Sequence, residues 1–244
     1  MKSIIQAALG KVGYRLSRVA NAPKDGLTCF FEAIQRAGFT PRHIVDVGAN
    51  RGNWTRAAIR FFPEAQYTLV EPQDHLKVHI QDLIERGYRI RWVNAAASDH
   101  SGILPFTIAQ RDDSSTLALS EKEARDSGAK QVPVQVTTLN ELVASDRERP
   151  PDLVKIDAEG FDLKVLAGAS KLMSKTDVFL AEATVCCTYE NSVLDVVQHM
   201  DREGYRLIDI TYLDRSPKHG VLWLCELAFL RKEAQWLDKA NSYE

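Results

Sequence analysis

Acidic side chains stand at or near the ends of several hydrophobic runs: Asp46, Glu71, Asp157 and Glu182, with Glu159 two residues beyond Asp157. Carboxylates so placed can accept the hydroxyls of a ribose, take a proton from a nucleophile or ligate a divalent cation. Asp46 closes the run His43-Ile44-Val45-Asp46-Val47 and leads into Gly48-Ala49-Asn50-Arg51-Gly52-Asn53-Trp54. Gly48 and Gly52 can take positive φ and admit a ligand where a Cβ would intrude. Asn50, between them, is one of the few other residues that tolerates a left-handed conformation. The turn is expected to offer bare backbone N–H groups beside the Asp46 carboxylate, which suits a ligand of mixed charge better than a bare phosphate.

Glu71 follows the glycine turn at the interval, about 20–25 residues, where an acid grips ribose hydroxyls in nucleoside-binding α/β sheets. The dinucleotide fingerprint G-x-G-x-x-G is absent. The spacing is G-x-x-x-G, with Asn50 where a second glycine would meet pyrophosphate. This leaves a smaller nucleoside ligand, with S-adenosylmethionine in front. An NAD-dependent oxidoreductase on a similar sheet is the rival enzyme, and a catalytically idle nucleoside-binding interaction module is the rival from another class.

These residues need a scaffold that brings strand ends together. Strands are expected at His43–Val47, Tyr67–Val70, Ile90–Val93, Leu104–Ala109, Val132–Val136, Leu153–Ile156, Val178–Ala183, Tyr205–Ile210 and Leu222–Leu230, with amphipathic stretches interspersed. Such alternation predicts one doubly wound α/β domain with helices on both faces. The last two strands are joined by a turn at Ser216-Pro217-Lys218-His219-Gly220, with no crossover helix, so they should be antiparallel. The polar stretch 110–131 is expected to form a loop and short helix, over the site or as a solvated surface excursion. Residues 1–38 read as an N-terminal helical extension, 39–232 as the main domain and 233–244 as a tail.

Composition narrows the classes. A formal net charge of -2 over 244 residues gives no field for nucleic acid. No apolar run is long enough to span a bilayer. The first 19 residues have the spacing of an amphipathic helix, read as packing on the domain in preference to a weak membrane-surface contact; Lys11 and Arg15 interrupt any signal-peptide core. Cys29, Cys186, Cys187 and Cys225 form no C-x-x-C pair and suggest reduced thiols in a cytoplasmic protein.

Asp46-Val47-Gly48-Ala49-Asn50-Arg51-Gly52, Glu71-Pro72, Asn94-Ala95-Ala96, Lys155-Ile156-Asp157-Ala158-Glu159-Gly160-Phe161-Asp162 and Leu166-Ala167-Gly168-Ala169 together resemble the FkbM family of methyltransferases. The resemblance implies a Rossmann-like class I methyltransferase fold, S-adenosylmethionine as cofactor and O-methylation of a sugar or natural-product hydroxyl, with a small-molecule or saccharide as partner. It implies that Asp46, Gly48, Ala49, Asn50, Gly52 and Asn53 surround the methionine part. Glu71 and Pro72 would hold the ribose, and Asn94 and Ala95 would border the adenine. Ser114 and Ser115 fall where the family often has a serine pair near the site.

Methyl transfer from a sulfonium to oxygen is an in-line displacement that needs alignment and a base for the hydroxyl proton. Asp157, Glu159 and Glu182 are the candidates for that base. Each has an alternative: the cofactor's amino group for Asp157, the N-terminus of the next helix for Glu159, and an ion pair with Lys155 for Glu182. Paired carboxylates could also hold a divalent cation, although no standard metal motif is present. Tyr189 could line the acceptor pocket or pack at a helix entry. His75 and His79 read as surface histidines, His43 as structural and His219 as a weak alternative base.

Overall fold

The computed structural model describes residues 24–109, 114–145, 149–185 and 191–234. The N-terminal amphipathic stretch, Tyr189, Cys186, Cys187 and most of the tail lie outside the described residues. A seven-stranded sheet has the order β3-β2-β1-β7-β8-β10-β9. Its strands are β1 (His43–Val47), β2 (Gln66–Val70), β3 (Arg89–Val93), β7 (Leu153–Ile156), β8 (Val178–Thr184), β9 (Tyr205–Arg215) and β10 (Leu222–Arg231). Pairs β1–β2, β2–β3, β1–β7 and β7–β8 are parallel, whereas β10 runs antiparallel to both β8 and β9. The antiparallel end therefore stands as the turn chemistry indicated, and the whole is a doubly wound, Rossmann-like α/β sheet.

Period-two alternation assigns each strand residue to a face. Val45, Val47, Val154, Ile156, Phe179 and Ala181 point to one core, under α5 (Leu139–Ser145), α6 (Asp162–Ala167) and α7 (Val193–Arg202). Ile44, Leu69, Leu153, Leu180, Ala228 and Leu230 point to the other, under α1 (Gly26–Arg36) and α2 (Asn53–Ile59). Asp25 caps α1, accepting the Thr28 N–H at 2.7 Å. The start of α1 lies directly on β9: a Cβ at Gly26 would stand 2.5 Å from the Thr211 carbonyl oxygen. His43 is structural, with its ring nitrogens 2.9 Å from the Arg149 carbonyl and 3.0 Å from Thr68 Oγ1. His75 and His79 are exposed on the 3-10 helix Asp74–Ile80, as surface histidines should be.

The middle of the chain leaves this sheet. β4 (Ala96–Ala97), β5 (Gly102–Ile108) and β6 (Lys130–Thr137) form a separate three-stranded sheet in the order β4-β6-β5. The described part of the 110–131 excursion spans its β5–β6 connection and contains α4 (Glu121–Ser127), held by a reciprocal Ser120–Glu123 capping box. α3 (Gln81–Glu85) precedes β3. In the main sheet the chain order reverses between β1 and β7, the position at which such sheets open a crevice at their carboxyl ends.

Candidate functional site

The crevice is built around Gly48. It has φ +71, and a Cβ there would stand 1.9 Å from the carbonyl oxygen of Asp157, so the turn after β1 and the end of β7 approach as only glycine permits. Asn50 and Gly52 also take positive φ, at 46° and 73°. The N–H groups of this turn, expected to be bare, are committed inside the protein. Those of Gly48 and Ala49 donate to the Val70 carbonyl (3.0 and 3.2 Å), that of Gly52 to the Ala49 carbonyl (2.7 Å) and that of Arg51 to Asn50 Oδ1 (2.7 Å). The Asn50 N–H donates to Glu71 Oε2 at 2.9 Å. The turn thus shapes the crevice and orients Glu71, and its amides are not a ready anion cradle.

Two cavities meet at this turn, and Gly48, Asn50 and Asp157 line both. The first and smaller lies over the β1–β2 side. Its polar wall is Glu71, whose two oxygens accept the Asn50 and Gln73 N–H groups at 2.9 Å each. The Gln73 side chain bonds the same carboxylate, and of its roughly four acceptor sites one is left for a hydroxyl. Burial raises the proton affinity of Glu71, and the Gln73 and Asn50 amides pull it back. Val70, Ala96, Ala97, Phe106 and Leu117 make the apolar part of the cavity wall. A buried carboxylate beside an apolar wall has the chemistry to take the ribose and the base of an adenosyl group.

The second cavity, of about 580 Å³, lies beneath α1 and α2. A polar row crosses the sheet below it. Asp46 pairs in register with Lys155, and Glu182 with Glu226. The Lys155 ammonium, almost wholly buried, stands 3.0 Å from Asp157 Oδ2 and 3.4 Å from Asp46 Oδ1, close under the carbonyls of Val47 and Gly48. Burial opposes its charge, but Asp157, Asp46 and Glu226 outweigh that and hold it protonated. Asp46 is fully buried, and its other oxygen accepts the Thr55 hydroxyl at 2.6 Å. It lines neither cavity and supports Lys155 from below. Glu226 accepts the Thr211 hydroxyl.

Asp157, Glu159 and Glu182 come together: one carboxylate oxygen from each lies within 4.8 Å of the others. Such a set has the donor chemistry to hold a divalent cation. Burial, then the charges of Asp157, Asp162 and Glu159, push the Glu182 carboxyl well above the ordinary carboxylate range. Lys155 forms its ion pairs with Asp157 and Asp46, and Glu182 feels its charge only at longer range. The turn before α6 is held by Asp162, which accepts the Ala158 and Gly160 N–H groups at 3.2 Å each, so the helix-entry role considered for Glu159 falls to Asp162.

Other expected site residues sit as follows. Ala49 and Asn53 line the larger cavity and Pro72 the smaller. Gly52 caps α2 and packs on Ile80. Asn94 is exposed and donates to the Pro72 carbonyl at 3.0 Å; Ala95 is buried behind it, and their neighbours Ala96 and Ala97 face the cavity. Ser115 lines the Glu71 cavity and accepts the Ala109 N–H at 3.1 Å, while Ser114 lines a separate surface depression. Sequence reading missed Gln73, Phe106, Leu117, Trp54, Glu226 and Tyr212 as lining residues. Only the pairing Glu226↔Glu182, set by strand register, could have suggested one of them.

No curated protein matches the chain in sequence. Similar solved structures include magnesium protoporphyrin IX methyltransferase from Synechocystis PCC 6803 with bound SAM, at 11% identity and TM-score 0.48 over 94% of this chain and 96% of that one. Another is precorrin-6y C5,15-methyltransferase from Geobacter metallireducens GS-15, at 10% identity and TM-score 0.47 over 88% and 92%. A third is 1,6-didemethyltoxoflavin-N1-methyltransferase from Burkholderia thailandensis with S-adenosylhomocysteine, at 14% identity and TM-score 0.45 over 95% and 87%. Among the described residues no helix is long and apolar enough to cross a membrane. The model of the methyltransferase FkbM domain matches residues 46–207, a span that holds the glycine turn, Glu71 and the whole carboxylate cluster. The chain belongs to the FkbM methyltransferase family.

Proposed function

We propose that the protein transfers a methyl group from S-adenosylmethionine to a hydroxyl of a sugar or natural product, with the cofactor in the Glu71 cavity and the acceptor in the larger one. The observation that carries this reading is the Asp157–Glu159–Glu182 cluster at the partition between the two cavities. When bound, the cofactor supplies a methyl group already activated on a sulfonium, so the protein's tasks are alignment and proton removal.

Glu71 would hold the ribose hydroxyls, and Val70, Ala96, Ala97, Phe106 and Leu117 would line the place of the adenine. Gly48 and Asp157 border the passage through which the methyl group faces the acceptor. Burial and the crowding of Asp157, Asp162 and Glu159 around it raise the affinity of Glu182 for a proton. That proton is the one an acceptor hydroxyl must release as its oxygen attacks. Asp157, held by Lys155, is the base nearest the partition, and Glu159 and Glu182 complete the set. Positioned base catalysis of this kind contributes about 10²–10⁴-fold. Tyr189 is assigned to acceptor contact and Ser115 to the wall of the cofactor cavity, and the protein works in the cytoplasm.

The test has two arms. S-adenosylhomocysteine should raise the melting temperature where NAD does not; ligand at about 100 times its Kd adds roughly 2.7 kcal/mol. Incubation of cell extract with labelled S-adenosylmethionine should label a hydroxyl-bearing small molecule, and Asp157→Asn should suppress that labelling. Stabilisation by NAD alone, or label on nitrogen or carbon only, overturns the proposal.

A further inference from the structure

Glu159 holds a backbone conformation that its residue type does not favour. Its φ is +50, and Gly160 follows at +90. A non-glycine residue in the left-handed region is uncommon and persists where its surroundings fix it. Here they do so from two sides.

On one side is the fully buried carboxylate of Asp162. It accepts the N–H groups of Ala158 and Gly160, so the amides flanking Glu159 are tied to one side chain. The buried amide of Asn191 donates to the same carboxylate at 3.0 Å and anchors it to the end of β8, where the Thr184 N–H meets the Asn191 carbonyl. On the other side is Thr116. Its hydroxyl donates to the Glu159 carbonyl at 2.7 Å and accepts the Ala118 N–H at 2.9 Å. Thr116 is in turn held by two backbone bonds to Thr107 on β5, at 2.8 and 3.0 Å. The turn that carries Glu159 is therefore stapled both to the main sheet and to the small one.

We propose that Asp162 and Thr116 are positioning residues that hold Glu159 in its left-handed conformation and thereby aim its carboxylate at Asp157 and Glu182. The inference rests on the reading of that cluster as the machinery that activates the acceptor. Without the staples, residue 159 relaxes to negative φ and its side chain leaves the cluster.

The experiment compares Thr116→Val, Thr116→Ser and Glu159→Gln in the full chain. One readout is transfer of labelled methyl to extract acceptors. The other is the titration midpoint of the Glu182 carboxyl by ¹³C NMR, which needs no acceptor. Thr116→Val keeps the shape and removes the hydroxyl. It should lower transfer by at least about tenfold, leave S-adenosylhomocysteine affinity unchanged and lower the Glu182 midpoint as Glu159→Gln does, because the Glu159 charge is one of those that raise it. Thr116→Ser should restore both readouts. Asp162→Asn should lower transfer as well; if it fails to fold, the Thr116 pair decides. A Glu182 midpoint that falls in Glu159→Gln but stays put in Thr116→Val overturns the inference. Wild-type transfer by Glu159→Gln would instead overturn the acceptor-activation reading, while the Glu182 midpoint still reports whether the staple acts.

Discussion

The ammonium of Lys155 lies 3.0 Å from the carboxylate of Asp157, and the same cation stands 3.4 Å from Asp46 on the neighbouring strand. One buried charge thus joins β1 to β7 at the point where the sheet's chain order reverses. It also fixes the acid that both cavities share. Asp157 keeps its side chain about one-third exposed while Asp46 is sealed, so the first faces ligand and the second supports it.

Lys155→Met should therefore be severe. It leaves Asp46 and Asp157 without their counter-charge, and removing one partner of a buried pair costs about 3–5 kcal/mol. Urea denaturation measures it. Adding Asp46→Asn to the same chain should recover part of the loss; equal stability of the single variant and wild type would refute the role of Lys155.

Glu71→Gln should weaken S-adenosylhomocysteine binding by about 10–100-fold, since a charge-assisted hydrogen bond contributes about 1.5–3 kcal/mol. Isothermal titration calorimetry reads this directly. Glutamine keeps the side chain's shape, but its NH2 meets either the Asn50 or the Gln73 N–H that Glu71 accepts, so thermal unfolding of the free variant is measured beside binding. Unchanged affinity would remove Glu71 from the cofactor site.

Gly48→Ala and Gly87→Ala separate two costs. Both glycines have positive φ, at 71° and 85°. Nothing lies within 4 Å of a Cβ at Gly87, whereas at Gly48 the Asp157 carbonyl blocks it at 1.9 Å. Gly87→Ala should cost about 1–2 kcal/mol from conformation alone, and Gly48→Ala clearly more, with loss of ligand binding. Equal costs in thermal unfolding would contradict the close approach.

Stability should fall as pH rises from about 5 to about 7. Burial, then the charge of Asp157, pushes Asp162 up to about 7 against amide bonds that pull it down. Burial also pushes Glu226 up to about 7, against the Thr211 hydroxyl and Lys155. In this window the folded chain keeps two protons that the unfolded chain has lost, so unfolding becomes easier by up to about 1.4 kcal/mol per pH unit for each group. Above about 7 these two groups add no further loss, while Glu182, pushed up to about 10 by burial and its neighbouring carboxylates, carries the fall on to higher pH. Urea midpoints at pH 5, 6, 7 and 8 check the sign, and Glu226→Gln should flatten the slope.

Much of this was legible in the sequence. Alternating hydrophobic runs fixed β1, β2, β7 and β8 within a residue or so, and the Pro-Gly turn after β9 announced the antiparallel end. The acids at neighbouring strand ends converge because parallel strands share one carboxyl edge, so Asp157, Glu159 and Glu182 could be grouped without coordinates. The family reading from the glycine turn and Lys155–Asp162 agrees with the domain match.

The rest depends on contacts that no local pattern encodes. Whether the Gly48–Gly52 amides face a ligand or the Val70 carbonyl is decided by how close β1 lies to β2. Asn94 and Ala96 differ by two residues, yet the exposed one braces Pro72 and the buried one faces the cavity, because β4 swings into the small sheet. The larger cavity exists because Gly26 lets α1 rest on Thr211, a contact between residues 185 positions apart.

The central claim is that the Glu71 cavity takes the cofactor and the carboxylate cluster meets its reactive end. A crystal structure of the protein with S-adenosylhomocysteine tests it most directly. The account predicts ribose hydroxyls on Glu71, adenine between Ala97 and Leu117, and the sulfur turned toward Gly48 and Asp157. Density for the ligand in the cavity beneath α1, or a sulfur pointing away from Asp157, would contradict it.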